Sequence, residues 1–164
     1  HHFVAGISYH SYSELVLFPF GYNSNVIAPD HDALQELAVN MANVLPADDG
    51  GHYTPQESWQ LYPCMGTSDD YFYGEHGIFS YTIEIGTEFI PPASQVDQIC
   101  QNHLEAAMIL LDRVNHSTLT GHITNSETGQ PLVAEISIPD IGDSGVYRNP
   151  YVSDEQFGRY YRLL

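Results

Sequence analysis

The sequence contains no lysine. Its only fixed cations are four arginines, set against 21 acidic side chains for a net charge of −17. An extended basic surface is therefore excluded, and nucleic acid and anionic lipid are not expected partners. No apolar run approaches the ~20 residues of a membrane span, and no signal peptide is visible. Cysteine is equally scarce. Cys64 and Cys100 are too few for a disulfide framework and form no CxxC pair for structural zinc. They leave open one disulfide or two partly buried free thiols. None of the nine histidines is followed by glutamate three residues on. His1-His2 reads as the remnant of an affinity tag.

What is present suffices for a folded domain. The 164 residues are 43% hydrophobic, enough for one packed domain or one and a fraction. Residues 3–9 read as a buried strand and 14–20 as a short second strand. Residues 21–29 are turn chemistry. Ala33, Leu34, Leu37, Ala38, Met41 and Val44 predict a helix over 30–45 that Pro46 ends. Residues 47–60 read as loop, and 61–77 as a long irregular segment rich in glycine and aromatics. A central strand over 78–85 follows. An amphipathic helix is expected from about Ser94 to Val114, with Val96, Ile99, Cys100, Leu104, Ala107, Met108 and Leu111 on its apolar side. Beyond residue 119 the pattern turns to β-hairpins. Strands are expected over 119–125, 133–138 and 159–164.

Two residues stand out against this background. His10 ends the first strand, and Glu84 occupies a position in the 78–85 strand where a core residue is expected. A buried carboxylate is costly unless it is paired, hydrogen-bonded or near a metal. A strand-end histidine and an in-strand carboxylate are parts that a zinc hydrolase uses. Taken singly, they have plainer readings. A strand-end histidine is more often a hydrogen-bonded structural residue, and Glu84 can be a strand carboxylate facing solvent. Tyr62 is one of 12 tyrosines. Asp69-Asp70 can be an Asx-turn or a helix cap.

Three motifs in order change the balance. They are His10-Ser11-Tyr12-Ser13 with residues 17–22 (LFPFGY), then Leu61-Tyr62 with Gly66 and Ser68-Asp69-Asp70, then Tyr81-Thr82-Ile83-Glu84. Residues 3–114 thereby resemble the C-terminal half of the catalytic domain of zinc metallocarboxypeptidases of the A/B/T type. The separation of Tyr62 and Glu84 matches the family's spacing. The resemblance implies that His10 is the last of three ligands to one zinc ion and that Glu84 is the general base. It implies that Tyr62 is a mobile tyrosine closing over the bound C-terminal residue. Ser11 and Tyr12 would contact substrate, and Asp69 and Thr82 would line the pocket for the C-terminal side chain. An aspartate at that position resembles the basic-specific members. The implied partners are peptide or protein C-termini, and the implied location is secreted or periplasmic.

The pattern is also incomplete. The family's other two zinc ligands come from an upstream HxxE motif, and its anion-binding arginines also lie upstream. Arg113, Arg148, Arg159 and Arg162 do not match them. The 164-residue chain alone is therefore expected to be inactive. Residues 119–164 resemble a transthyretin-like, carboxypeptidase-regulatory β-sandwich, cut short. The motifs are Leu119-Thr120-Gly121-His122-Ile123, Thr128-Gly129-Gln130-Pro131-Leu132 and the run from Phe157 to Leu164. The expected fold class is α/β: a partial carboxypeptidase-type mixed sheet flanked by helices over 1–116, plus a partial all-β sandwich over 117–164. Two other functions remain open. One is a non-catalytic binding or structural protein that keeps the fold. The other is a relative with the same site acting on cell-wall peptides or glutamate tails.

Overall fold

The computed structural model describes residues 3–139, 141 and 149–164, so His1-His2 and Arg148 lie outside the described residues. It is a mixed α/β structure. Its main sheet has four strands in the order β1 (Ala5–His10), β4 (Phe79–Glu84), β2 (Leu15–Phe18), β3 (Thr54–Glu57). β1 runs parallel to β4, β4 antiparallel to β2, and β2 parallel to β3.

The helices follow from their sequences. In α1 (His31–Ala42), Leu34, Leu37, Ala38 and Met41 recur at helical spacing and are all buried. They pack with Val16, Phe18, Tyr81 and Ile83 into the core. Burying one such aliphatic side chain contributes about 1.5–3 kcal/mol. Tyr81, fully buried, donates from its hydroxyl to the Leu34 carbonyl at 3.2 Å, which ties β4 to α1.

The long helix α3 (Val96–His116) corrects one expectation. Its buried residues are His103, Ala106 and Leu110, whereas Leu104, Met108 and Leu111 are each more than half exposed. The apolar periodicity was real, but α3 lies against α1 through a different strip. Small Ala106 permits the close approach, and the larger apolar residues face outward.

Three further expectations change. β1 is half-buried rather than buried, because it is the edge strand of the sheet. The stretch read as irregular contains a helix, α2 (Ser68–His76). The Thr67 side chain accepts from Asp70 N–H at its start, and Gly77 at φ +65° ends it. The stretch read as loop contains β3. Its Pro55 sits on a sheet edge, where a missing N–H is tolerated.

The C-terminal region holds the two-stranded antiparallel pair β5 (Thr118–His122) and β6 (Arg159–Leu163). The strand expected over 133–138 does not form, and Glu135 makes only an isolated bridge to Val152. Around that bridge, Ile136 N–H donates to the Tyr151 carbonyl at 2.8 Å and Ser153 N–H to the Ala134 carbonyl at 2.9 Å, while the Ser153 hydroxyl takes the Ala134 N–H at 2.9 Å and donates to the Leu132 carbonyl at 2.7 Å. Leu163, 1% exposed, joins the main core.

Cys64 and Cys100 are both free and both exposed. The disulfide alternative is therefore not realised, and the thiols are not buried.

Candidate functional site

β4 has two chemically different faces, because side chains alternate along a strand. Phe79, Tyr81 and Ile83 point into the core. Ser80, Thr82 and Glu84 point to the other side, where α2 packs. Strand register adds the neighbours. His10 is the cross-strand partner of Glu84, and Ser8 is the partner of Thr82. Cross-strand partners share a face, so the His10 and Glu84 side chains project from the same end of the parallel β1–β4 pair. Just beyond them, Ile85 N–H donates to the His10 carbonyl at 2.8 Å and Ser13 N–H to the Gly86 carbonyl at 2.9 Å. These bonds fix where the chain leaves both strands.

The electrostatics follow from burial. Glu84 is 8% exposed. Desolvation pushes its carboxyl pKa above the ordinary value, and the nearby His10 imidazole partly offsets that. A carboxylate raised in this way is a better proton acceptor at its site than one in open water.

Asp69, from the first turn of α2, reaches the same face and is 3% exposed. Ser80 donates to its Oδ1 at 2.8 Å and Thr82 to its Oδ2 at 2.6 Å. Burial raises the Asp69 pKa, while these two hydroxyls and the His10 charge pull it down. Asp70 turns the other way. Its two oxygens accept from Gly21 N–H at 2.8 and 3.1 Å, which pins α2 to the end of the LFPFGY run.

The structure thus brings His10, Glu84, Thr82 and Asp69 together. Ser11 is close by along the chain, and its hydroxyl donates to the Phe89 carbonyl at 2.8 Å. Tyr12 and Tyr62 are 51% and 61% exposed, and no described hydrogen bond or ring contact draws either into the cluster. The Tyr62 loop is anchored one step further on, where Cys64 N–H donates to the Gly21 carbonyl at 2.9 Å. The sequence reading missed Ser80. Its period-2 spacing from Thr82 and Glu84 was the signal that could have found it.

A metal needs more than this cluster holds. Among the described residues, no group of three histidine, cysteine, aspartate or glutamate side chains is arranged to hold an ion. His10 is a single imidazole, and one imidazole does not make a zinc site. The residues present therefore do not fit zinc by themselves.

The comparisons with known proteins bear on the same region. A family model described as zinc carboxypeptidase, peptidase M14, matches residues 1–106. The chain belongs to the zinc carboxypeptidase family. Zinc is accordingly the ion its family implies. Human carboxypeptidase O is 33% identical over 129 residues, a match covering 73% of this chain and 34% of that protein. A zinc carboxypeptidase of Saccharothrix mutabilis subsp. capreolus is 42% identical over 79 residues, covering 48% of this chain and 18% of that protein. The solved structure of thrombin activatable fibrinolysis inhibitor superposes with a TM-score of 0.58 at 29% identity, covering 66% of this chain and 28% of that one. This zinc carboxypeptidase chain therefore spans about a third or less of the length of these relatives.

Proposed function

We propose that this chain is the C-terminal half of the catalytic domain of a zinc-dependent metallocarboxypeptidase. The whole protein would hydrolyse the C-terminal peptide bond of peptides or proteins. The observation that carries the reading is the His10–Glu84 cross-strand pair, with Asp69 and Thr82 on the same face. In this reading Glu84 accepts the proton of the attacking water, a role suited to its buried, raised carboxyl. His10 is one zinc ligand, and two more come from an HxxE motif outside these residues. Ser11 and Tyr12 contact the substrate backbone. Tyr62 swings from its exposed loop to shut water out.

Asp69 and Thr82 line the pocket for the C-terminal side chain, with a preference for basic residues. The two hydroxyl donors to Asp69 use only part of its acceptor capacity, since a carboxylate offers about four lone-pair sites. A guanidinium or ammonium can use the rest. In the whole protein, Glu84→Gln should abolish peptide hydrolysis while leaving zinc content unchanged. Turnover within a few-fold of wild type would remove Glu84 from the mechanism. Faster release of Phe than of Arg from matched hippuryl substrates would remove the basic preference.

The chain alone is proposed to be inactive, since it supplies one ligand. We further propose a partial transthyretin-like β-sandwich over 117–164, supported by the antiparallel β5–β6 pair. The proposed secreted or periplasmic location rests on family membership. A second reading is favoured by the lack of a three-ligand group among the described residues: a non-catalytic binding protein that keeps the fold. Zinc titration of the whole protein separates the two, because only the peptidase reading requires one tightly held ion.

A further inference from the structure

The chain leaving β2 stays buried through Gly21, and the Phe20 ring meets the buried Tyr73 ring edge-on at a centroid distance of 5.4 Å. The segment that carries Tyr62 is fastened to this buried run on both sides. Before Tyr62, the Ser58 hydroxyl donates to the Phe18 carbonyl at 3.0 Å and Trp59 N–H to the Phe20 carbonyl at 3.4 Å. After it, Cys64 N–H donates to the Gly21 carbonyl at 2.9 Å. Residues 60–63 therefore form a short loop with both ends fixed, and residues 62–66 are exposed throughout.

Asp70 holds the other edges of the same peptide units. A trans peptide unit is planar and carries its C=O and N–H on opposite edges. The unit between Phe20 and Gly21 gives its C=O to Trp59 and its N–H to Asp70, at 2.8 and 3.1 Å from the two carboxylate oxygens. The unit between Gly21 and Tyr22 gives its C=O to Cys64, and its N–H also bonds the Asp70 carboxylate. One carboxylate thus orients two successive peptide planes, and the opposite edges of those planes hold the two ends of the Tyr62 loop. Hydrogen bonds to an ionised acceptor are roughly twice as strong as neutral ones.

The missing side chain of Gly21 lets these segments converge. A Cβ there would lie 3.1 Å from the Ser58 Cβ and 3.6 Å from both Asp70 Oδ2 and the Cys64 carbonyl oxygen. Asp69, one position earlier on α2, is bonded instead to Ser80 and Thr82 of β4. Two adjacent carboxylates therefore fasten α2 to β4 on one side and to the base of the Tyr62 loop on the other.

We propose that Asp70 is a positioning residue for Tyr62, acting through the Gly21 peptide units, and that closure of the tyrosine is confined to residues 60–63 while α2 stays in place. This role for Asp70 rests on the closing role proposed for Tyr62.

Amide hydrogen exchange in the full chain tests the anchor. Asp70→Ala should speed exchange at the Trp59 and Cys64 N–H groups at least about tenfold, while Gly77 N–H, bonded to the Tyr73 carbonyl at the far end of α2, changes less than about twofold. If that variant does not fold, Asp70→Asn, which keeps the size and one acceptor oxygen, should show the same pattern at about threefold. Equal acceleration at all three sites, or at none, overturns the proposal.

A double-mutant cycle in the whole protein then separates positioning from a merely structural role, using hippuryl-Arg or hippuryl-Phe, whichever is released faster. Asp70→Ala should lower kcat/KM at least about fivefold with Tyr62 present and less than about twofold in the Tyr62→Ala background. Equal losses in both backgrounds overturn the role of Asp70 and leave that of Tyr62 intact. If Tyr62→Ala alone stays within about twofold of wild type, the closing role of Tyr62 fails, and the role of Asp70 fails with it.

Discussion

Asp30 and Asp69 are buried almost equally, 5% and 3% exposed, yet they are held by opposite chemistry. Asp30, just before α1, meets a cation. Arg162 of β6 approaches its Oδ1 at 2.9 Å, and Tyr73 donates to its Oδ2 at 2.7 Å. Arg162 is 3% exposed, so both charges of this pair are out of water. Among the described residues, the hydrogen-bond donors to the Asp69 side chain are the hydroxyls of Ser80 and Thr82. The first arrangement neutralises its carboxylate and ties the last strand to the core. The second holds the carboxylate by neutral hydroxyl donors, on a face shared with His10 and Glu84. A fully paired buried charge suits a structural joint, and a carboxylate held by neutral donors suits a place that a ligand will complete.

The contrast can be broken most severely at Arg162. Arg162→Ala removes a buried cation from the Asp30 carboxylate and should cost about 3–5 kcal/mol in urea unfolding of the full chain. An Asp30→Asn/Arg162→Met double variant should recover much of that loss. A cost below about 1 kcal/mol for Arg162→Ala, the range of a surface pair, would remove the distinction between the two carboxylates.

Tyr73→Phe comes next. It takes one donor from Asp30 and one acceptor from the Asp30 N–H, and should cost about 2 kcal/mol. Thr82→Val acts on the other carboxylate. Its effect should be about 1–2 kcal/mol, smaller because Ser80 still donates to Asp69.

The gentlest probe is pH. Burial raises the Asp69 pKa above its unfolded value of 3.8. The folded state therefore holds that proton more tightly than the unfolded chain. The group's contribution to stability is fully present below the unfolded value and is lost as pH rises through the folded one. Asp69→Asn should flatten that part of the stability profile, as followed by thermal unfolding across the acid range. An unchanged profile would mean that other carboxylates set it.

Much of this was legible in the sequence. The strands carrying His10 and Glu84 followed from β-branched and aromatic runs. The α1 helix followed from its apolar spacing, and the cluster members from three ordered motifs. α2 was missed because SDDYFYGEH has no apolar stripe, although its Thr67 cap and Gly77 terminator are local signals. β3 was missed because TPQE is polar and contains proline. It is a strand only because β2 lies beside it. The α3 face was misjudged because hydrophobic periodicity finds a stripe but does not say which neighbour will cover it.

The sequence by itself determined where the backbone is extended or helical, the acidic balance, and which residue types could do hydrolytic chemistry. These depend on local sterics and composition. Tertiary structure decided which faces were buried and which distant groups met. Register set His10 against Glu84. Packing of α2 on β4 delivered Asp69 to Thr82, and return of the last strand brought Arg162 to Asp30 across 132 positions of sequence. Burial and partner choice depend on the whole assembly, and no local pattern encodes them.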